Sequence, residues 1–378
     1  MSWNRLGLFA GCVALGVVGA LAVLQVNQML STRAERSRTE GLFEKARTVQ
    51  RPNAESLSVP TDFSEAASRI MPSVVAVDTV TQQQNWFGET VESGGEGSGV
   101  IISEDGYVLT NNHVIERATA IQVHLSDGRS VDAKLVGRDP RSDLAVLKIT
   151  AKDLQPARMG RSGSLKIGQW VIAVGNPLGY ENTVSVGVVS SLDRTLPTQS
   201  SVIVNAIQTD AAINQGNSGG ALANDQGELV GINTAIASPS GGSVGIGFAI
   251  PIDRAQRIVE DLIKFGRARY GYLGVNSQPT PGILNNARFR ESYQSEMGVE
   301  PPRKGVFMTQ VDPQGPAGQA GMKQYDILLS IDGKPMDDVL DFQKFMTDKS
   351  PGDQVKIEFW SKGQTRTATV TLIDLKIF

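Results

Sequence analysis

The sequence predicts a fold dominated by β-structure, and three observations carry that reading. Glycine is abundant, at 40 of 378 residues, whereas aromatic residues make up only 6%. Short runs rich in valine and isoleucine recur at regular spacing, as in a sandwich or barrels. Turn signals such as Glu104-Asp105-Gly106, Ser126-Asp127-Gly128 and Asp225-Gln226-Gly227 separate most of them. The length suggests two or three domains.

Residues 6–24 form an uncharged apolar run preceded by Arg5, just long enough to cross a bilayer as a helix. Three readings compete. An uncleaved signal anchor fits the length best. A cleaved signal peptide would use Ala20-Leu21-Ala22. A lipoprotein signal would use Cys12, but the apolar run before it is too short. The charges do not settle orientation: Arg33, Arg36 and Arg38 on the far side outweigh Arg5, which weakly opposes export of the C-terminal domains. Cys12 is the single cysteine, so no intramolecular disulfide can form. Residues 31–61 are polar and aperiodic and read as a linker.

Asp62 then resembles a helix N-cap, with Glu65 three residues on, and the helix should stop near Pro72. Strand-like runs come next at 74–80, 99–102, 107–110, 121–124, 133–137, 144–149, 170–174, 183–189, 229–235 and 247–250. Residues 252–265 show helical spacing through Ile252, Ile258, Leu262 and Ile263 and should close this domain. A second β-rich unit begins at Tyr270-Gly271-Tyr272. In it, residues 278–304 read as irregular and 305–311 as a strand. Residues 341–346 read as a short helix, and 355–360 with 365–373 as a closing hairpin around Ser361-Lys362-Gly363.

The chemistry centres on Asn214-Gln215-Gly216-Asn217-Ser218-Gly219-Gly220. A serine hydroxyl needs a base within hydrogen-bond reach, and the base needs an orienting acceptor. His113, one of only two histidines, can take the proton. Asp143, opening an apolar run, can hold its tautomer and stabilise the imidazolium. The backbone N–H groups of Gly216 and Ser218 are candidates for an oxyanion hole, where losing one donor typically costs about 10²–10³ in rate. Each residue alone has a bland reading as a turn or strand-edge residue. Their joint occurrence in the order His, Asp, Ser, each beside a β element, shifts the balance.

His124 lies inside a strand-like run and reads as structural. Two histidines ten residues apart, with no cysteine cluster, match no zinc spacing, so no metal or organic cofactor is expected. Gly94-Gly95-Glu96-Gly97-Ser98-Gly99 lacks the lysine of a phosphate loop and does not open a helix. A net charge of −3 leaves no electrostatic footprint for nucleic acid.

With these residues in view, the chain resembles the HtrA (Deg) family of serine proteases, in the membrane-anchored layout with one PDZ domain. The motifs that carry the likeness include Thr110-Asn111-Asn112-His113-Val114, Ser142-Asp143-Leu144-Ala145-Val146, Gly175-Asn176-Pro177-Leu178-Gly179 and Gly216-Asn217-Ser218-Gly219-Gly220. The likeness spans roughly residues 62–378. It implies an all-β-dominated fold of two chymotrypsin-like β-barrels followed by a PDZ domain, after an N-terminal transmembrane helix. The expected divisions are a signal anchor over 1–30, a linker over 31–61, a protease domain over 62–266 and a PDZ domain over 267–378. In the PDZ domain, Tyr272, Leu273, Gly274 and Val275 resemble the carboxylate-binding loop and the peptide-receiving strand.

The resemblance further implies an ATP-independent endopeptidase acting on unfolded or regulatory envelope proteins and controlled by C-terminal peptides. It would work as a homotrimer, with Phe63 a candidate contact, on the periplasmic side of the inner membrane through a single-pass anchor, or as a soluble periplasmic protein after signal cleavage. The family's serine motif often has proline where Gln215 stands. Two rivals remain: a PDZ-based peptide sensor or chaperone with little turnover, and an esterase using the same triad.

Overall fold

The computed structural model describes residues 62–84, 90–177, 182–197, 202–214, 216–234 and 245–375. The expected anchor and linker, and Gln215, lie outside the described residues. No helix among those described is long and apolar enough to cross a membrane.

A short helix, α1 (Ser64–Ile70), leads into a 3₁₀ turn at Met71–Ser73 that carries Pro72. The expected cap is displaced by one residue: Phe63 is the N-cap, and Asp62 accepts from the Ser64 N–H at 2.8 Å. Seven strands follow, interrupted by α2 (Asn112–Ile115). They are β1 (Val74–Gln84), β2 (Thr90–Ile101), β3 (Tyr107–Thr110), β4 (Ala120–His124), β5 (Ser130–Asp132), β6 (Lys134–Asp139) and β7 (Leu144–Lys148). They pair in the order β5-β4-β1-β2-β3-β7-β6. The glycines at 94–99 are part of β2, where Gly97 and Gly99 leave no room for a Cβ against Val114 and Val108.

Six further strands close a barrel in the order β10-β13-β12-β11-β8-β9. These are β8 (Trp170–Gly175), β9 (Thr183–Pro197), β10 (Val202–Thr209), β11 (Ala221–Asn224), β12 (Leu229–Thr234) and β13 (Gly247–Pro251). The first set forms a seven-stranded sheet and only the second closes as a barrel, where the family resemblance implied two barrels.

Strands that are apolar on both faces explain the uninterrupted Val/Ile/Leu runs. Leu144 and Val146 pack into one core and Ala145 and Leu147 into another. Ile172 and Val174 join the first core, while Val171 and Ala173 line the barrel interior. The shared core lies between the two β-units, which fixes the cleft at their junction. It is sealed by α3 (Ile252–Phe265), whose Ile252, Ala255, Ile258, Val259 and Leu262 are buried. Ile263, counted in the helical stripe, lies on the outer side. Gly266 ends α3 in the left-handed region at φ 70°, its N–H returning to the Leu262 carbonyl.

The last unit has two small sheets. One pairs β14 (Gly271–Tyr272) with β21 (Ile373–Asp374). The other runs in the order β15-β16-β17-β19-β20, from β15 (Val275–Ser277), β16 (Val306–Val311), β17 (Ile327–Ile331), β19 (Gln354–Ser361) and β20 (Gln364–Thr371), with β18 (Lys334–Pro335) beside β17. The hairpin at Lys362-Gly363 is as expected, both residues having positive φ. The segment read as irregular contains α4 (Ala287–Met297), capped by Asn286 and ended by Gly298. Tyr293 is its single buried residue, so no apolar stripe announces it. It is held by an aromatic cluster in which Phe289 and Tyr293 meet Phe307 edge-on. Helices α5 (Pro316–Gln319) and α6 (Val339–Thr347) complete the unit, α6 starting in a capping box at Asp338.

Among the described residues, several contacts tie this unit to the preceding one. Tyr270 donates its hydroxyl hydrogen to Asp139 Oδ2. Arg257 reaches the Thr347 carbonyl at 3.1 Å and Ser350 Oγ at 3.3 Å. Lys344 pairs with Asp193 at 3.1 Å.

Candidate active site

His113 sits on α2, immediately after β3, and Asp143 precedes β7, the neighbour of β3 in the sheet. Pairing of β3 with β7 therefore brings together two residues distant in sequence. Asp143 has φ 57°, a left-handed conformation uncommon outside glycine, asparagine and aspartate. Its main-chain carbonyl accepts from Asn112 N at 3.1 Å and from Asn111 Nδ2 at 2.9 Å, which holds that turn.

The Asp143 carboxylate accepts three hydrogen bonds. Oδ1 takes the His113 backbone N–H at 2.9 Å. Oδ2 lies 2.7 Å from His113 Nδ1 and also takes the Thr234 hydroxyl at 2.9 Å. Thr234 comes from β12 of the barrel and is buried, so this bond crosses between the two β-units. The carboxylate is mostly buried (11% exposed) while the imidazole is 40% exposed. The Nδ1 edge of the ring is thus anchored, and among the described residues Nε2 has no hydrogen-bond partner.

Ser218 is carried by the turn ahead of β11, between two glycines with positive φ, Gly216 at 95° and Gly219 at 84°. Both are also required by space. A Cβ on Gly216 would meet Pro177 at 2.3 Å, and one on Gly219 would meet the Ser98 carbonyl at 2.1 Å. The turn is tied to β2 of the first sheet. Ser98 N donates to the Ser218 carbonyl at 2.8 Å, and Ser98 Oγ to the Gly216 carbonyl at 2.6 Å. Asn176 N donates to Ser98 Oγ in turn, at 2.8 Å. Among the described residues, the N–H groups of Gly216 and Ser218 donate to no protein acceptor, and Ser218 Oγ makes no hydrogen bond to His113.

Sequence reasoning missed Thr234 and Ser98. Neither carries a local signal, because their partners stand 91 and 118 residues away. His124, read as structural, bonds Ser130 Oγ at 2.7 Å and Asp78 Oδ2 at 2.9 Å, away from the site.

In the last unit, Tyr272, Leu273, Gly274 and Val275 form the turn and strand start beside α6. The Leu273 carbonyl accepts from Ala317 N at 3.0 Å and the Gly274 carbonyl from Asp312 N at 2.9 Å. Gly274 has φ 82°, and a Cβ there would meet Gly315 Cα at 2.9 Å. β15 lies at the sheet edge. Between it and α6 opens a cavity of about 610 Å³ whose walls include Tyr272, Leu273, Val275, Phe342 and Met346. Burial, with Asp312 adding to it, raises the Tyr272 phenol above its usual pKa.

Fold and cleft together put the chain among the chymotrypsin-like serine peptidases, here with a second groove in a separate unit. A trypsin-like peptidase domain is matched over residues 97–232 and a PDZ domain over 271–372. The chain is 43% identical over 287 residues to the "Probable periplasmic serine endoprotease DegP-like" of Halomonas elongata, covering 76% of this chain and 58% of that protein. The protein of the same description from Pseudomonas putida is 38% identical over 371 residues, or 93% of this chain and 73% of its own length. Among solved structures, the HtrA-type protease AlgW with decapeptide superposes with a TM-score of 0.69 at 35% identity, covering 84% of this chain and 99% of that one. The serine endoprotease from Yersinia pestis gives 0.60 at 36% identity, with 84% and 100% covered. The chain belongs to the HtrA (Deg) family of serine proteases. It spans a little over half of the Halomonas relative.

Proposed function

We propose that the chain is an ATP-independent serine endopeptidase that cleaves unfolded or regulatory envelope proteins and is controlled by C-terminal peptides at its PDZ domain. The observation that carries this is the Asp143 carboxylate holding His113 by two hydrogen bonds beside the glycine-flanked Ser218. Ser218 Oγ attacks the scissile carbonyl carbon while His113 Nε2 takes the hydroxyl proton. The new C–O bond pushes the carbonyl electrons onto oxygen, where the N–H groups of Gly216 and Ser218 receive them. Collapse expels the amine, which leaves with the proton from His113. Water repeats the sequence on the acyl-enzyme, and Asp143 keeps the imidazole in one tautomer throughout. The missing Ser218–His113 bond fits a site that tightens when substrate enters.

The exposed edge of β15 and the cavity beside it support strand addition by a peptide ending near Tyr272, Leu273, Gly274 and Val275. We take the protease domain as 62–266 and the PDZ domain as 267–378. The names of the relatives support a periplasmic location, to which the apolar run 6–24 adds a single-pass anchor. We further propose assembly as a homotrimer, a reading that rests on the family resemblance alone. Phe63, the candidate contact, packs on Trp170 of its own chain with ring centroids 5.4 Å apart.

The test is hydrolysis of casein by the chain and by Ser218→Ala, with and without peptides ending in apolar residues. Cleavage that needs the peptide and is lost in the variant is the expected result. No cleavage under any condition, with peptide binding intact, would favour a peptide sensor instead.

A further inference from the structure

Arg254 belongs to the first turn of α3, in the protease domain, yet it lines the same cavity as Tyr272, Leu273 and Val275. Its Nη1 donates to the Val204 carbonyl at 2.9 Å, and its buried Nε has no acceptor. Asp348 and Asp139 favour its charge from a distance, but among the described residues no carboxylate forms an ion pair with it. Burial works against its charge and lowers its pKa. A guanidinium has five N–H donors in a fixed fork. An unpaired buried cation is costly, and a carboxylate arriving with matching geometry relieves that cost. Arg141 also lines the cavity, and the other walls mix apolar side chains with the polar Asn276, Ser277 and Gln343 and with strand backbone, so the anion it suits is one end of a peptide. The ammonium end of such a peptide would be repelled.

We propose that Arg254 of the protease domain supplies the countercharge for the C-terminal carboxylate of a peptide seated in the PDZ groove. The ligand site is then shared: backbone N–H groups and the apolar wall come from one domain and the cation from the other. This rests on the peptide-binding reading of the groove. It adds that part of the charge of a terminal carboxylate is met from outside the PDZ domain.

The experiment uses the full chain carrying Ser218→Ala, so that no peptide is cleaved. A fluorescent octapeptide ending in phenylalanine, with no acidic side chain, is compared as free acid and as C-terminal amide. A third probe is the amide with glutamate placed upstream. We expect the acid to bind about 10- to 100-fold more tightly than the amide, the range for charge-assisted hydrogen bonding to a carboxylate. Arg254→Met should reduce that ratio to about threefold or less by weakening the acid and sparing the amide. Arg254→Gln, which keeps a donor for the Val204 carbonyl, carries the same expectation should the methionine variant not fold. An acid-to-amide ratio unchanged by either substitution overturns the proposal while leaving the peptide reading standing. So does dependence on Arg254 shown only by the glutamate-bearing amide. Failure of every probe to bind the parent chain would remove the peptide reading and this inference with it.

Discussion

Thr234→Val isolates one bond of the catalytic pair. The Thr234 hydroxyl is one of two donors on Asp143 Oδ2, at 2.9 Å, the other being His113 Nδ1 at 2.7 Å. Valine fills nearly the same space in this buried position, so the substitution removes a donor rather than creating a cavity. A hydrogen bond to a charged acceptor contributes about 1.5–3 kcal/mol. Asp143 keeps its two bonds to His113, and part of the lost energy falls equally on ground and transition states. We therefore expect about 1–2 kcal/mol in the barrier, or about a 5- to 30-fold fall in kcat/KM. Most of it should lie in kcat, because Thr234 stabilises the charge that faces the developing imidazolium. Thr234→Ser should recover to within about threefold of the parent. The assay is steady-state cleavage of an internally quenched peptide, with thermal melts to check folding. Wild-type kcat/KM in a folded Thr234→Val variant would show that Asp143 is held without this bond and refute the reasoning.

Gly219→Ala should destabilise by about 2–5 kcal/mol, combining left-handed strain with overpacking against the Ser98 carbonyl. A urea midpoint equal to the parent's would mean that the turn moves freely. Phe359→Ala, at the largest fully buried side chain among the described residues, should cost the PDZ core about 3–5 kcal/mol. The same melt should show the protease transition little changed if the two units unfold separately. Burial raises the Asp326 carboxyl above its ordinary value of 3.8. Its native form therefore holds a proton that the unfolded chain releases sooner. The stability this lends is complete below the ordinary value and is lost as pH rises through the raised one. Asp326→Asn should flatten that acid-side slope and raise stability at neutral pH. An unaltered slope would place the titration elsewhere.

The sequence made the residue types of the candidate site legible but not their support. His113 and Asp143 stand out because histidine is rare and because each flanks a strand with a clear apolar pattern. The runs at 144–149 and 170–174 read as strands, and the structure explains why they are uninterrupted: every second residue enters a different core. Helix α4 was hidden because its partner surface is a cluster of aromatic rings rather than an apolar stripe. Strands β10 and β11 are absent from the strand-like runs that the sequence shows. Pairing with β9, β13, β8 and β12 makes them strands, and pairing is a tertiary fact.

Each arm of the candidate site is held by a residue from the opposite β-unit. Asp143, in the first sheet, is bonded by Thr234 of the barrel, while the Ser218 turn, in the barrel, is bonded by Ser98 of the first sheet. Ser98 is itself held by Thr110, whose Oγ1 donates to the Ser98 carbonyl at 2.7 Å just two residues before α2 and its His113. Separation of the two units would therefore break the support of the base pair and of the serine turn together. A substitution confined to one unit loses only one of the two supports. Thr234→Val and Ser98→Ala should accordingly be close to additive in stability, their bonds being made at different places. In kcat/KM they should be less than additive, because proton transfer from Ser218 to His113 needs both arms in register at once.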